Sequence, residues 1–265
     1  ICWYNRDRKM SYLKYVIRPY LQLRFLVEKK LKLGAFGRDP AQPVTTPYIN
    51  SGTWLKDGLH RFFVKQFHES SCSVASVVTV LNTLKQRQET IDHSGDAYRA
   101  VTQHELLDRV REAHWKERMS PEGYNGRRGL PLEVLGRVAK ASLDVCGINY
   151  QSVETVQTTR HPDTQPAQMD RLRHLLEQFE TAGSCVLIAH FDQGTFLPEM
   201  HIPHISPVGG YDPDTRTVKI LDVDAEVPHP YHLSFDRFYA GLSTRYNVIF
   251  RRYGYAEGGY ILIKV

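Results

Sequence analysis

Cysteine is scarce in this chain: Cys2, Cys72, Cys146 and Cys185 are spread over 265 residues, with no C-x-x-C pair among them. That spacing argues against a zinc ribbon or a disulfide-dense secreted scaffold, and sets the expectation of a reducing, cytoplasmic setting. Internal repeats, low-complexity tracts and RNA- or DNA-binding motifs are also missing, so no repeat architecture or nucleic-acid partner is expected. Acidic residues are almost absent from the first 33 positions, where nine Lys and Arg face only Asp7 and Glu28. The net charge of +5 therefore belongs to one terminal segment, and the rest of the chain is slightly acidic.

Residues 1–33 interleave those cations with Tyr12, Leu13, Val16, Ile17, Tyr20, Leu21, Leu23, Phe25, Leu26, Val27 and Leu31. The pattern predicts a basic amphipathic helical arm broken near Pro19, packed on its own domain, on a sister subunit in a homodimer, or on a membrane surface. It is too charged to span a bilayer and lacks the uninterrupted apolar stretch of a signal peptide. Residues 34–60, rich in Gly, Pro and Thr, are expected to form an irregular connection, and residues 61–265 the main domain.

In that domain helical periods come first. Thr102 and Glu105 form a capping-box pattern ahead of Leu106, Leu107, Val110 and Ala113. Residues 130–140 and the run Met169, Leu172, Leu175, Leu176, Phe179 predict two more helices, the second stopped by Gly183. The period then shortens: Val186–Ala189, Ile205–Tyr211, Val218–Val223 and Tyr260–Ile263 read as strands. Helices followed by antiparallel strands indicate an α+β fold.

Three residues in this frame carry chemistry. Cys72 opens a predicted helix with Val74, Val77, Val78, Leu81 and Leu84 inward and Ser70 and Ser71 as N-caps. Unpaired amides and the dipole at a helix start favour the nucleophilic thiolate. Gln66, six residues upstream, would supply an amide donor to an oxyanion. Farther on, His204 and Asp222 flank Asp212-Pro-Asp-Thr215, a good turn sequence. With Tyr211 facing Thr215 across a three-residue loop, His204 would stand directly opposite Asp222, close enough for the carboxylate to orient the imidazole. A slip of one residue would send the two to opposite faces.

Cysteine, histidine and acid in that order suggest a papain-like thiol enzyme, and the surrounding motifs resemble the phytochelatin synthase family. Gln66…Cys72-Ser-Val-Ala-Ser…Val80-Leu-Asn82 is similar to its nucleophile block, and His204-Ile-Ser-Pro-Val-Gly-Gly-Tyr211…Leu221-Asp222-Val223 to its second block. Gly129-Leu-Pro-Leu-Glu-Val-Leu-Gly136 looks like the helix linking them. The resemblance runs from about Phe62 to Val265. It implies a papain-like fold and cleavage of the Cys–Gly amide of glutathione through a γ-glutamylcysteinyl thioester. On that pattern Cys72 is the nucleophile, His204 the general base and then acid, Asp222 its partner, and Gln66 an oxyanion donor with the Cys72 N–H. No cofactor is required, and zinc or cadmium would enter as thiolate complexes of the substrate.

Two departures stand out. Ser73 occupies a position where the family commonly has Gly, and Asp224-Ala-Glu-Val227 replaces a basic, aromatic stretch that helps hold the substrate carboxylate. The eukaryotic enzymes add a cysteine-rich C-terminal region not found before Val265, which sets the expectation of hydrolysis or a single transfer over processive chain building. Alternatives are the same thiol chemistry on another amide or thioester with an amine acceptor, or an inactive papain-like binding module. His201-Ile-Pro-His204 and His229-Pro-Tyr-His232 have ligand-like spacing but no acid or cysteine to complete a metal site, and are expected to be surface or loop residues. Cys146 and Cys185 are expected as buried thiols in strand-like settings. Tyr253, Tyr255 and Tyr260, with neighbouring glycines, are expected in a packed aromatic turn or a lip.

Overall fold

The computed structural model describes residues 4–50, 52–91 and 98–265. Helices α1 (Tyr4–Leu31), α2 (Trp54–Phe62), α3 (Cys72–Ile91), α4 (Gln103–Arg109), α5 (Trp115–Arg118) and α6 (Leu132–Val145) dominate the first half. The second half carries α7 (Gln165–Thr181), α8 (Gln193–Phe196), α9 (Phe235–Leu242) and α10 (Val248–Arg251) among most of the strands. The strands are β1 (Gln42–Pro43), β2 (Ser152–Gln157), β3 (Cys185–Asp192), β4 (Pro203–Asp212), β5 (Thr217–Ile220), β6 (Tyr231–Ser234) and β7 (Gly259–Lys264). They form an antiparallel sheet in the order β1-β6-β5-β4-β3-β7-β2, so the fold is α+β as expected.

Helix α3 packs on β4 and is surrounded. From Cys72 to Leu84 every residue is buried, not only the predicted apolar face. Its polar positions are small and satisfied: Thr79 and Thr83 hydroxyls donate to carbonyls one turn back, and Asn82 bonds both the N–H and the C=O of Val101. A helix can be buried on all sides when its hydroxyls find partners of this kind. β3, next to β4, is buried along its whole length.

Several boundaries differ from the sequence reading. α1 runs through Pro19 without ending there, and Leu21 is buried while Leu23, Leu26, Val27 and Leu31 face outward. Tyr12, Leu13, Val16 and Ile17 lie outside the residues whose side chains are described. Residues 34–60 are not irregular throughout, because Thr53 caps α2 from Trp54 onward. The capping box on α4 is present, but the helix stops at Arg109 and Ala113 adopts a positive φ of 55°. Cys146 ends α6 instead of sitting in a strand, and is half-buried. No helix among the described residues is long and apolar enough to cross a membrane.

Candidate active site

Cys72 is the first residue of α3 and is 7% exposed. The predicted serine caps turn away from the helix. Ser71 Oγ bonds the N–H and the carbonyl of His68, and Ser70 Oγ accepts from Arg128 Nε at 2.8 Å. Neither side chain is engaged with the first-turn amides, which point toward any anion held at the helix start. One turn on, Ser76 Oγ donates to Cys72 O at 2.8 Å and lies 3.0 Å from Ile205 O. This hydroxyl fastens the nucleophile's helix to the strand residue beside His204.

His204 and Asp222 are both buried and meet at 2.8 Å, Nε2 to Oδ1. Cys72 lies close enough to the same imidazole to raise its pKa. Burial alone would lower the imidazole pKa, but the Asp222 charge and hydrogen bond, then Cys72, outweigh it and push it up to about 10. Burial likewise opposes ionisation of Asp222, and His204 overcomes it, holding the carboxyl below its usual range. Tyr231 donates its hydroxyl proton to Asp222 Oδ2 at 2.7 Å, and the Asp224 N–H donates to Oδ1 at 2.9 Å. The carboxylate is thus oriented by donors on both oxygens, and it favours a charged imidazole.

The contact is reached by a different register from the predicted one. Asp212 faces Thr217, Tyr211 faces Val218 and Gly210 faces Lys219, so the loop has four residues, not three. Continued without interruption, that pairing would put Asp222 opposite Pro207, on the face away from His204. A β-bulge intervenes: Val208 faces Ile220, leaving Gly209 as the extra residue. Asp222 then falls beside Ser206, whose Oγ lies 3.5 Å from Asp222 Oδ1, diagonally next to His204 on the same side.

Gln66 sits against the segment just past Asp222. Its N–H donates to Val223 O at 2.7 Å, and its amide Nε2 lies 3.5 Å from Asp224 Oδ1. It does not line the cavity at Cys72. Asp224, in the stretch that replaces the family's basic segment, is occupied: it accepts from Gln193 Nε2 at 3.0 Å and from the Glu226 N–H at 3.0 Å. Ser73 is accommodated by burial away from the cavity, where Trp115 Nε1 donates to its Oγ at 2.9 Å. Ser73→Gly should therefore lower stability by about 1–3 kcal/mol by orphaning a buried indole N–H, read as a fall in Tm of about 2–10 °C. Unchanged Tm would show that the indole needs no acceptor.

A cavity of about 310 Å³ opens at Cys72, walled by Arg128, Leu130, His190, Ile205, Phe250, Tyr253 and Tyr255 among others. Tyr253 and Tyr255 thus form a wall of the site, with the Tyr255 hydroxyl donating to Arg128 O at 3.1 Å, whereas Tyr260 is core on β7. Burial pushes His190 down to about 4, so it stands neutral in this wall. Sequence reasoning missed Arg128, His190, Ser76 and Tyr231. The motif His229-Pro-Tyr-His232 drew attention for its histidines, while the tyrosine between them is the residue that reaches the site. His201, expected as a surface or loop residue, lies in the loop before β4 but is buried there between Asp192 (2.5 Å) and Glu28 of α1 (2.6 Å). Cys185 is buried with its thiol pushed up to about 11, and burial also raises Cys146. Among the described residues no group of three or more His, Cys, Asp or Glu is placed to hold a metal ion.

No curated protein matches the chain. The family model for phytochelatin synthase matches residues 56–255, from the start of α2 through the cysteine helix and the His–Asp hairpin to the tyrosine wall of the cavity. That match takes in most of the chain and every residue of the cysteine–histidine–aspartate arrangement, and the protein belongs to the phytochelatin synthase family.

Proposed function

We propose that the protein is a cysteine-dependent γ-glutamylcysteinyl transferase or hydrolase acting on glutathione. The observation that carries this reading is the hydrogen-bonded series His204–Asp222–Tyr231 with Cys72 beside the imidazole and lining a small cavity. The family transfers γ-glutamylcysteine units from glutathione. In this site the Cys72 thiolate attacks the carbonyl carbon of the Cys–Gly amide, and the oxyanion meets the first-turn amides of α3, beginning with the Cys72 N–H. The tetrahedral adduct collapses as the C–N bond breaks. His204 gives its proton to the departing glycine nitrogen, leaving a γ-glutamylcysteinyl thioester on Cys72. Water or another thiol peptide then attacks the thioester, losing a proton to His204, and the thiolate leaves as the imidazolium is restored. Gln66 would join as an oxyanion donor once its amide turns from Asp224. No cofactor takes part, and zinc or cadmium would arrive bound to substrate thiolates.

Incubation with glutathione should release glycine and leave a γ-glutamylcysteinyl adduct on the peptide containing Cys72, both read by mass spectrometry. An adduct confined to Cys146 or Cys185, or glycine release without any adduct at Cys72, would defeat the proposal. Among the described residues that line the cavity Arg128 is the one cation, His190 being neutral, and it is partly exposed there. Its Nη2 already bonds Glu69, so part of its charge is spent. Arg128→Ala should raise KM for glutathione about tenfold with kcat little changed, the signature of lost uniform binding to a carboxylate. Equal losses in kcat and kcat/KM would place Arg128 at the reacting centre instead.

A further inference from the structure

A second cavity, of about 580 Å³, is lined by residues separate from those of the catalytic one. Tyr246 packs edge-on against His190 of the first cavity, 5.9 Å between ring centroids, and Asp192 lines the second. His190 and Asp192 are two residues apart on β3 and so share one face. The second cavity is an open one, bordered by α1, the segment after β2, the end of β3 with α8, the segment after α9 and the turn before β7.

Its lining is charged in a particular order. Arg24, Arg160 and Arg245 contribute three guanidinium groups, against the carboxylates of Asp192 and Glu257. Arg24 uses Nε on Glu28, Arg160 uses Nε on Ser243 Oγ and Nη2 on Ala240 O, and no described residue bonds the Arg245 guanidinium. Donors therefore remain free on all three. Two further lining residues are almost wholly buried, Thr158 at 2% and Asp192 at 3% exposure, and each has a buried oxygen without a partner, Thr158 Oγ1 and Asp192 Oδ1. The other Asp192 oxygen is committed to His201 and Thr195. Buried side-chain oxygens are rarely left unpaired, and two in the walls of one cavity call for a ligand with hydrogen-bond donors.

We infer that this cavity binds a small zwitterion, its ammonium group on Asp192 and Thr158 and its carboxylate or carboxylates on Arg24, Arg160 and Arg245. An ammonium supplies three donors and no acceptor, which matches the unpaired oxygens. Planar guanidinium groups match carboxylate in the same way. A simple inorganic anion would sit against the Asp192 carboxylate, and a divalent cation would face three arginines, so both are disfavoured. The volume lies in the usual range for small-ligand sites and admits molecules from a free amino acid up to a tripeptide. Arg24 belongs to α1, so the N-terminal arm forms one wall of the site. The inference stands on these contacts and is independent of the thioester chemistry at Cys72.

Calorimetric titration of the full chain, with Cys72 carboxamidomethylated to obstruct the catalytic cavity, tests it. Glycine, L-glutamate and glutathione are the zwitterionic probes, glutarate lacks the ammonium, and putrescine lacks the carboxylates. At least one zwitterion should bind saturably with a Kd of about 10 μM to 1 mM. Glutarate and putrescine should bind at least about tenfold more weakly, and Arg245→Ala and Thr158→Val should each weaken the zwitterion about tenfold without altering Tm or the rate of Cys72 alkylation. Absence of saturable binding by all three zwitterions at about 10 mM overturns the inference. So does equal binding of glutarate and L-glutamate, which would mark a plain anion site, or binding that neither substitution changes.

Discussion

Asp222→Ala is expected to lower kcat/KM for glutathione by about 10³–10⁴, the scale seen when the orienting acid of a triad is lost. The carboxylate does two separable things. It fixes the imidazole through the 2.8 Å contact to His204 Nε2, and its charge keeps that imidazole protonated. Alanine removes both, and also leaves the buried Tyr231 hydroxyl without its acceptor. Asp222→Asn removes the charge and the acceptor at Tyr231 but keeps the orienting contact, because an amide oxygen can still accept from His204 while the amide nitrogen donates to a Tyr231 hydroxyl turned to accept. The asparagine variant should therefore retain more activity than the alanine one. Equal losses would mean that orientation contributes nothing beyond charge.

The pH dependence separates the two effects further. His204 must carry a proton to expel glycine, so activity falls as pH rises through its pKa. With that pKa pushed up to about 10 by Asp222 and Cys72, the alkaline limb of the wild-type profile should lie well above the ordinary histidine range. In Asp222→Asn the Coulombic support is gone while burial remains, and the limb should move down to about 6.5 or below. The linked stability has the same sign. Because the folded-state pKa is raised, the His204 proton stabilises the fold fully below about pH 6.5. That contribution is lost as pH rises through about 10. An unchanged alkaline limb in Asp222→Asn would assign the limb to another group.

What the sequence made legible was local. The capping box of α4, the α7 run closed by Gly183 at φ +58°, and Cys72 at the start of a helix all depend on neighbours within a turn or two, and all are present. The His204–Asp222 pair was legible as a contact because a turn and two alternating strands suffice to predict one. Its register was not, since a bulge depends on what packs against the strand. Arg128 reaches the site from 56 residues beyond Cys72 and outside any motif, while Tyr231 comes from 9 residues beyond Asp222, within a motif whose histidines pointed to a different chemistry. β2 was also missed; its residues are all partly exposed and take their order from pairing with β7 along its whole length. The expected break at Pro19 failed because one proline need not end a helix, even though its ring displaces one hydrogen bond.

Gly209→Val should reduce kcat/KM about 100-fold, since small misplacements of catalytic groups have effects of that size. A Cβ built on Gly209 would stand 2.5 Å from Leu221 Cγ and 2.8 Å from its Cδ2. Leu221 is fully buried and immediately precedes Asp222, so it cannot yield without moving the carboxylate. Overpacking of this kind also costs about 1–3 kcal/mol of stability. Deleting Gly209 altogether should be milder for the site than enlarging it. With the extra residue gone, Gly210–Lys219 and Val208–Ile220 become successive pairs of a regular ladder, and Asp222 stays beside Ser206 on the face of His204. Activity and Tm of the two variants decide between register and bulk as the quantity that matters here. If the deletion is as inactive as the valine variant while its Tm holds, the local twist of the bulge, and not merely the face on which Asp222 falls, is what brings carboxylate and imidazole to 2.8 Å.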